Sequence, residues 1–326
     1  MAGIHKKPRS QAFRDVLGFS LRHWARQPWR LAAVALLALL SAVADVLTPM
    51  YAGRLVDAVA SGAPSDQTAV QAALTAFWLL VALGVAGTLL RQGAFLNSLP
   101  FALNMMRGMA NESFLRVQRL SSDWHANNFA GSTVRKVTRG MWAVDLLNDT
   151  LLTALLPSVV MLVGATVVLG VNWPLMGLVV GLGAALYIAV TLTLMLKLVA
   201  PAARLSNAWD TRMGGALADA VGCNAVVKAF GAEAREEARL KRVIDKWRAR
   251  TLRAWRRITF NGSIQGLMMT GLQTAMMGAS LYLWMTGRAS VGDITFAMTM
   301  FFVLKGYLRE VGMDLRNLQR SVNDME

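Results

Sequence analysis

The sequence is poor in three things. It holds one cysteine, Cys223, so it can form no internal disulfide and no cysteine-based metal cluster. Its three histidines, His5, His23 and His125, lie far apart, which excludes metal chemistry by Cys/His ligation. Charged residues make up only 16% of the 326, against about 25% in a soluble domain. A chain with so little charge cannot cover a globular surface with it, and so a soluble enzyme and a disordered chain are both excluded.

Apolar residues are abundant instead, at 55%, with a mean hydropathy of +0.42. The charge that exists is lopsided: 34 Lys and Arg face 19 Asp and Glu, a formal +15. Apolar and basic residues must therefore occupy different places, as they do in a membrane protein. Charge-free runs cover Leu31–Ala44, Gln67–Leu90, Thr150–Leu196, Ile258–Gly287 and Ile294–Leu304. About 20 apolar residues cross a bilayer core. The 47-residue run from Thr150 is too long for one crossing, and Asn172-Trp173-Pro174 marks a turn inside it. Six spans follow, at approximately 31–53, 70–91, 145–171, 174–197, 257–286 and 291–312. Residues 29–326 form one six-helix domain, and residues 1–28 a leader in which Phe13, Val16, Leu17, Leu21 and Trp24 recur at helical spacing. That leader reads as an amphipathic helix in the membrane interface. Thirty polar and basic residues before the first apolar run argue against a signal peptide.

Six spans divide the remaining segments between two sides, and 32 of the 34 Lys and Arg fall on the side of the N-terminus. Positive charge stays inside, which puts both termini in the cytosol of a bacterial-type inner (plasma) membrane. This asymmetry accounts for the +15 without a nucleic-acid partner. Trp255 and Trp284 bracket the fifth span about 43 Å apart along a helix, at the two interfaces where aromatic belts sit. The outer connections are short and the inner ones long and helical. In Glu233–Arg257, rich in helix formers, Glu237 and Lys241 fall at i,i+4 in the favourable order.

Six spans with two long inner helical hairpins resemble the transmembrane domain of ABC exporters, and particular residues carry the resemblance. Pro49, Gly53 and Asp57 match the family's exit from the first helix; Leu120–Ser132, with Trp124-His125 and Gly131, is similar to the first coupling helix. Ala218–Glu233, with Val227-Lys228, Phe230 and Glu233, is similar to the stretch at and after the second. Cys223 stands where asparagine is common, and Gly140 where the family often has aspartate. The resemblance implies an all-α domain that pairs with a second half, identical or related, into a twelve-helix pathway. It further implies that ATPase domains, fused or separate, dock on coupling helices near Ser121–Ala130 and Ala216–Val226. Ser122, Trp124, His125, Asn127, Gly222, Cys223 and Asn224 are the coupling candidates. ATP and Mg would bind in those domains and not in this chain, because the phosphate-cradling Gly-x-x-x-x-Gly-Lys-Ser/Thr loop is absent and Gly-Lys occurs nowhere. The chain ends just past the sixth span, where an ATPase domain would follow, so it reads as a piece of a fused half-transporter or as a subunit with a separate ATPase. No ATP turnover is expected of the chain by itself.

For the pathway, Asp45 lies in the first span, where a carboxylate faces a bundle interior or a watery cavity; it either contacts substrate or protons, or hydrogen-bonds a neighbouring helix. Arg91 is expected to snorkel to headgroups. Met269 and Met276 fit either an adaptable pocket or an ordinary core. Lys305 and Arg309 in the sixth span face the pathway or pair with Glu310 and Asp314. The substrate class implied is a hydrophobic or amphipathic compound, exported at the expense of ATP. The competing readings are a secondary transporter or channel, which would show an ion relay or discontinuous helices, and an importer on the same fold.

Overall fold

A computed structural model describes residues 9–63, 65–127 and 130–325, and among them there are helices and no strand. The elements are α1 (Arg9–Trp24), α2 (Pro28–Ser61), α3 (Gln67–Gln118), α4 (Ser122–Asn127), α5 (Ala130–Asn148), α6 (Leu156–Asn172), α7 (Pro174–Leu194), α8 (Ala200–Gly222), α9 (Asn224–Ala229), α10 (Glu233–Met285) and α11 (Val291–Met325). Two wide-turn π segments, Asp149–Leu155 and Met195–Val199, join α5 to α6 and α7 to α8. Each ends just before a proline, Pro157 or Pro201. Proline lacks an N–H and its ring crowds the carbonyl four residues back, and a locally widened turn relieves both. Composition alone did not mark these segments.

Five stretches are long and apolar enough to cross a membrane: Pro28–Ser61, Gln67–Gln118, Thr133–Asn172, Pro174–Gly222 and Val291–Val322. α10 falls short of them although its half from Ile258 to Met285 carries no charge. Asn261, Gln265, Gln273 and four glycines dilute its apolar character.

The chain divides into two compact units, one running to Leu182 and resuming at Gln273, the other Gly183–Leu272. In the first, α2 packs along α3 and against α6 and α11. Without a hydrophobic drive between helices in lipid, such packing depends on close approach and on polar links. Ser41 Oγ–H donates to the Gly87 carbonyl at 3.2 Å. Gly53 meets Gly292 backbone to backbone, where an added Cβ would run into the Gly292 carbonyl at 2.6 Å. The turn after α6 is Trp173, in extended conformation, as Asn172-Trp173-Pro174 predicts. Its indole N–H reaches the Arg288 carbonyl at 3.2 Å. Of the two Gly-x-x-x-Gly pairs, Gly177 packs on Gly170 and Gly181 on Thr166, whereas Gly262 and Gly266 have nothing within 4 Å.

α1 seats in this unit with Val16, Ser20 and His23 buried and Leu21 56% exposed. The stripe expected from spacing is therefore rotated: His23 and Trp24 find polar partners, whereas the Ser20 hydroxyl is buried without one among the described residues. His23 Nε2 lies 3.6 Å from Glu112, and Trp24 Nε1–H donates to Asn148 Oδ1 at 2.9 Å. Val16 packs with Leu147 and Val322. The side chain of Phe13 lies outside the described residues.

The second unit is an antiparallel pairing of α7–α8 with the first part of α10. Gln265 Nε2–H donates to Thr191 Oγ1 at 3.4 Å, Arg257 Nη1–H to the Leu198 carbonyl at 3.2 Å, and the Ser206 and Thr251 hydroxyls meet at 2.9 Å. Trp209 carries two cations on its ring, Arg212 at 4.7 Å and Lys246 at 5.5 Å. The ion pair on this part of α10 is Glu236–Arg239 at 2.9 Å rather than Glu237–Lys241.

Candidate substrate pathway and coupling elements

Pro49 sits inside α2 and cannot bond the carbonyl of Asp45, so the helix is loosened one turn from its only buried-depth acid. The Asp45 carboxylate is anchored from both neighbours: Oδ2 accepts Arg91 Nη2–H from α3 at 2.6 Å and Tyr307 Oη–H from α11 at 2.6 Å. Arg91, expected at the headgroups, thus ends on Asp45. Asp45 thus hydrogen-bonds both neighbouring helices, and the bonded group also lines a cavity of about 620 Å³. Ser41, Asp149, Thr153, Tyr307 and Glu310 add polar lining, and Ala38, Ala94, Phe95, Pro157 and Val303 form apolar walls. Thr153 Oγ1–H is held by Asp149 Oδ1 at 2.5 Å, and the π segment presents both to the cavity. The volume falls within the roughly 300–1,000 Å³ that holds small molecules, and the lining is about evenly divided between polar and apolar residues.

Two cations on α11, Lys305 and Arg309, are exposed and lie on another face of the helix from the residues that line this cavity, Val303, Gly306, Tyr307 and Glu310. Lys305 Nζ lies 6.0 Å over the Phe301 ring, and Arg309 points outward one turn on. Neither pairs with a carboxylate among the described residues; Glu310 lines the cavity and Asp314 is 8% exposed. The methionines are placed differently. Met276 is 2% exposed beside Gln273, Ser280 and Phe301, in a crevice too narrow for water, and Met269 is buried in the other unit. Tyr307 and Asp149 were not singled out by sequence; a tyrosine two residues after an intramembrane lysine and an acid just before a proline-broken turn were the available signals.

α4 and α9 are six-residue helices at the ends of the long ones. On α4, Ser122 and His125 are exposed; the Trp124 and His125 rings meet edge to face at 5.2 Å. The Trp124 backbone N–H reaches Ser121 Oγ at 3.3 Å, and His125 Nε2 faces the Val117 carbonyl at 3.1 Å. The side chain of Asn127 lies outside the described residues, as do Asn128 and Phe129. In the second unit Gly222 ends α8, Cys223 makes the break and Asn224 opens α9, all exposed. The short helix is therefore Asn224–Ala229, and Ala216–Gly222 belongs to the end of α8. α9 buries no residue, and Val226 and Phe230 are 57% and 78% exposed.

Long apolar helices gathered around a charged cavity are the build of a multi-pass membrane domain. The chain belongs to the ABC transporter transmembrane region family, whose model matches residues 31–308, and its fold is of the exporter type. It is 28% identical over 312 residues to an ATM1-type heavy metal exporter of Novosphingobium aromaticivorans, a match covering 91% of this chain and 48% of that protein. It is 24% identical to the mitochondrial iron-sulfur clusters transporter atm1 of Neurospora crassa, over all of this chain and 47% of that one. The structure of a bacterial Atm1-family ABC exporter with ATP bound superposes with a TM-score of 0.72 at 24% identity, covering 91% of this chain and 52% of that one. The chain spans about half the length of the curated relatives it matches.

Proposed function

We propose that this domain forms, with a second identical or related half, the pathway of an ATP-driven exporter of a hydrophobic or amphipathic compound in a bacterial-type inner membrane. Both termini lie in the cytosol. ATPase domains, fused or separate, bind ATP and Mg and act on the pathway through α4 and α9. The observation that carries this reading is the family match across residues 31–308 on an exporter-type fold. The cavity supports the substrate class: apolar walls suit an apolar body, and the Asp45–Arg91–Tyr307 group offers a polar anchor. Lys305 and Arg309, exposed on another face of α11, would meet the path where the second half packs. Val226 on α9 and Phe230, which ends it, would face a docking partner, and apolar side chains exposed this far need cover.

Cys223 tests the assignment, because it is the only thiol of this chain and is exposed at the start of α9. A bulky membrane-permeant maleimide should abolish ATP-driven transport in whole cells, and an impermeant one added outside should leave it unchanged. Cys223→Ala should keep its own untreated rate under either reagent. Inhibition of the natural protein by the impermeant reagent, with Cys223→Ala resistant, would place α9 outside the cell and contradict the proposal.

A further inference from the structure

A second cavity, of about 540 Å³, opens between the end of α1, the start of α2 and the middle of α3. Its lining carries three guanidiniums, Arg26, Arg30 and Arg107, and no carboxylate. None of the three meets an acid among the described residues. Arg30 Nη1–H donates to Gln27 Oε1 at 3.1 Å, and Arg26 Nη1 lies 3.4 Å from His23 Nε2. The nearby acid, Glu112, is held by Arg116 at 2.7 Å. Three exposed positive charges thus converge on one concavity with no acid among the described residues paired to them. The start of α2 adds to the same field: Pro28 opens the helix, Gln27 makes no capping bond, and the first-turn amides are left for an outside acceptor. Amide side chains of Asn104 and Asn111 supply further donors.

The depth of the cavity names the source of the anion. The first charge-free run begins at Leu31, directly after Arg30, so the site lies where hydrocarbon gives way to headgroups. Trp29, 87% exposed, lines it, and Leu21 and Leu103, 56% and 63% exposed, lie on the flanking helices. A tryptophan at this level is an interfacial anchor, and exposed leucines beside it suit acyl chains. Guanidinium forks match phosphate oxygens, and basic pockets between helices on the cytosolic side bind phospholipid headgroups. We propose that this pocket holds the phosphate of an anionic phospholipid headgroup, fixing α1 to the inner leaflet. The proposal needs the domain to span a membrane but does not depend on what it transports.

Native mass spectrometry of the purified protein from micelles holding equal phosphatidylglycerol and phosphatidylcholine tests it. The natural protein should retain phosphatidylglycerol preferentially. Arg30→Gln/Arg107→Gln should lower that retention about tenfold or more, the effect of two arginines at a headgroup layer. Arg30→Lys/Arg107→Lys should recover part of it, which a merely misfolded pocket would not allow. Arg239→Gln, on the α10 surface, should change nothing. Equal retention of the two lipids, or the same phosphatidylglycerol retention in the Gln variant, would overturn the proposal. Inorganic phosphate in place of lipid should not bind saturably at low millimolar concentration; if it does, and displaces phosphatidylglycerol, the site takes free phosphate and the lipid assignment fails.

Discussion

Asp45→Ala should cost the protein roughly 3 kcal/mol or more and abolish transport. Asp45 lies fourteen residues past Leu31, about 21 Å along α2, well inside the hydrocarbon. Its carboxylate is the acceptor for both Arg91 and Tyr307, each at 2.6 Å. Truncation leaves Arg91 unpaired at a depth where an arginine costs about 2.5–3.5 kcal/mol. It also takes from the Tyr307 hydroxyl its acceptor, a loss of about 1–3 kcal/mol where water does not replace it. Arg91→Leu should cost less, because Tyr307 still serves Asp45. The double variant Asp45→Leu/Arg91→Leu should recover most of the stability lost in the single Asp45→Leu variant, giving a coupling energy of at least about 1.5 kcal/mol in a double-mutant cycle. Thermal unfolding in nanodiscs measures each variant. Transport should stay absent in the double variant, since the polar anchor of the cavity is gone. Additive losses would show that the pair is incidental.

Asp57→Ala should release the start of α11 and cost about 3 kcal/mol. One carboxylate oxygen accepts the Gly292 backbone N–H at 2.7 Å and the other the Ser290 hydroxyl at 2.7 Å. Hydrogen bonds to a charged group contribute about 1.5–3 kcal/mol each. Ser290 and Asp293 also cap each other, with the Ser290 N–H on Asp293 Oδ2 at 2.8 Å and the Asp293 N–H on Ser290 Oγ at 3.0 Å. That internal cap survives the substitution, so the loss is the tie between α2 and α11 rather than the helix itself. Hydrogen exchange of amides 290–296 should speed up by one to two orders of magnitude in Asp57→Ala, and by less in Asp57→Asn, which keeps one acceptor. Unchanged protection would remove Asp57 from this role.

Much of this architecture could be read from the sequence, for identifiable reasons. A charge-free run is a local property, so the long helices and the break at Trp173 were visible directly, the latter because Pro174 cannot continue a helix. Pro49, Gly53 and Asp57 stood out as a spaced motif, but what Asp57 does was not visible, because its partners Ser290 and Gly292 lie more than 230 residues away. The Asp45–Arg91 pair was missed for a similar reason. Taking the second span as 70–91 put Arg91 at its cytosolic end, whereas the α2–α3 register brings it level with Asp45. The second short helix was placed several residues early, because α8 runs through two adjacent glycines, Gly214 and Gly215, and breaks only after Gly222. Side-chain orientation around a helix was the least legible feature. Met276 and Lys305 both belong to polar-flecked helices, and only packing decides that one is buried and the other exposed. The basic pocket was invisible, since Arg26, Arg30 and Arg107 converge through the packing of α1 and α2 on α3.

Transport into inside-out membrane vesicles bears most directly on the account. With the complete transporter in the vesicles, accumulation of an amphipathic fluorescent compound should require ATP and Mg, stop with a non-hydrolysable ATP analogue, and persist when ionophores collapse the ion gradients. Accumulation that ignores ATP and follows an imposed proton or sodium gradient would contradict it.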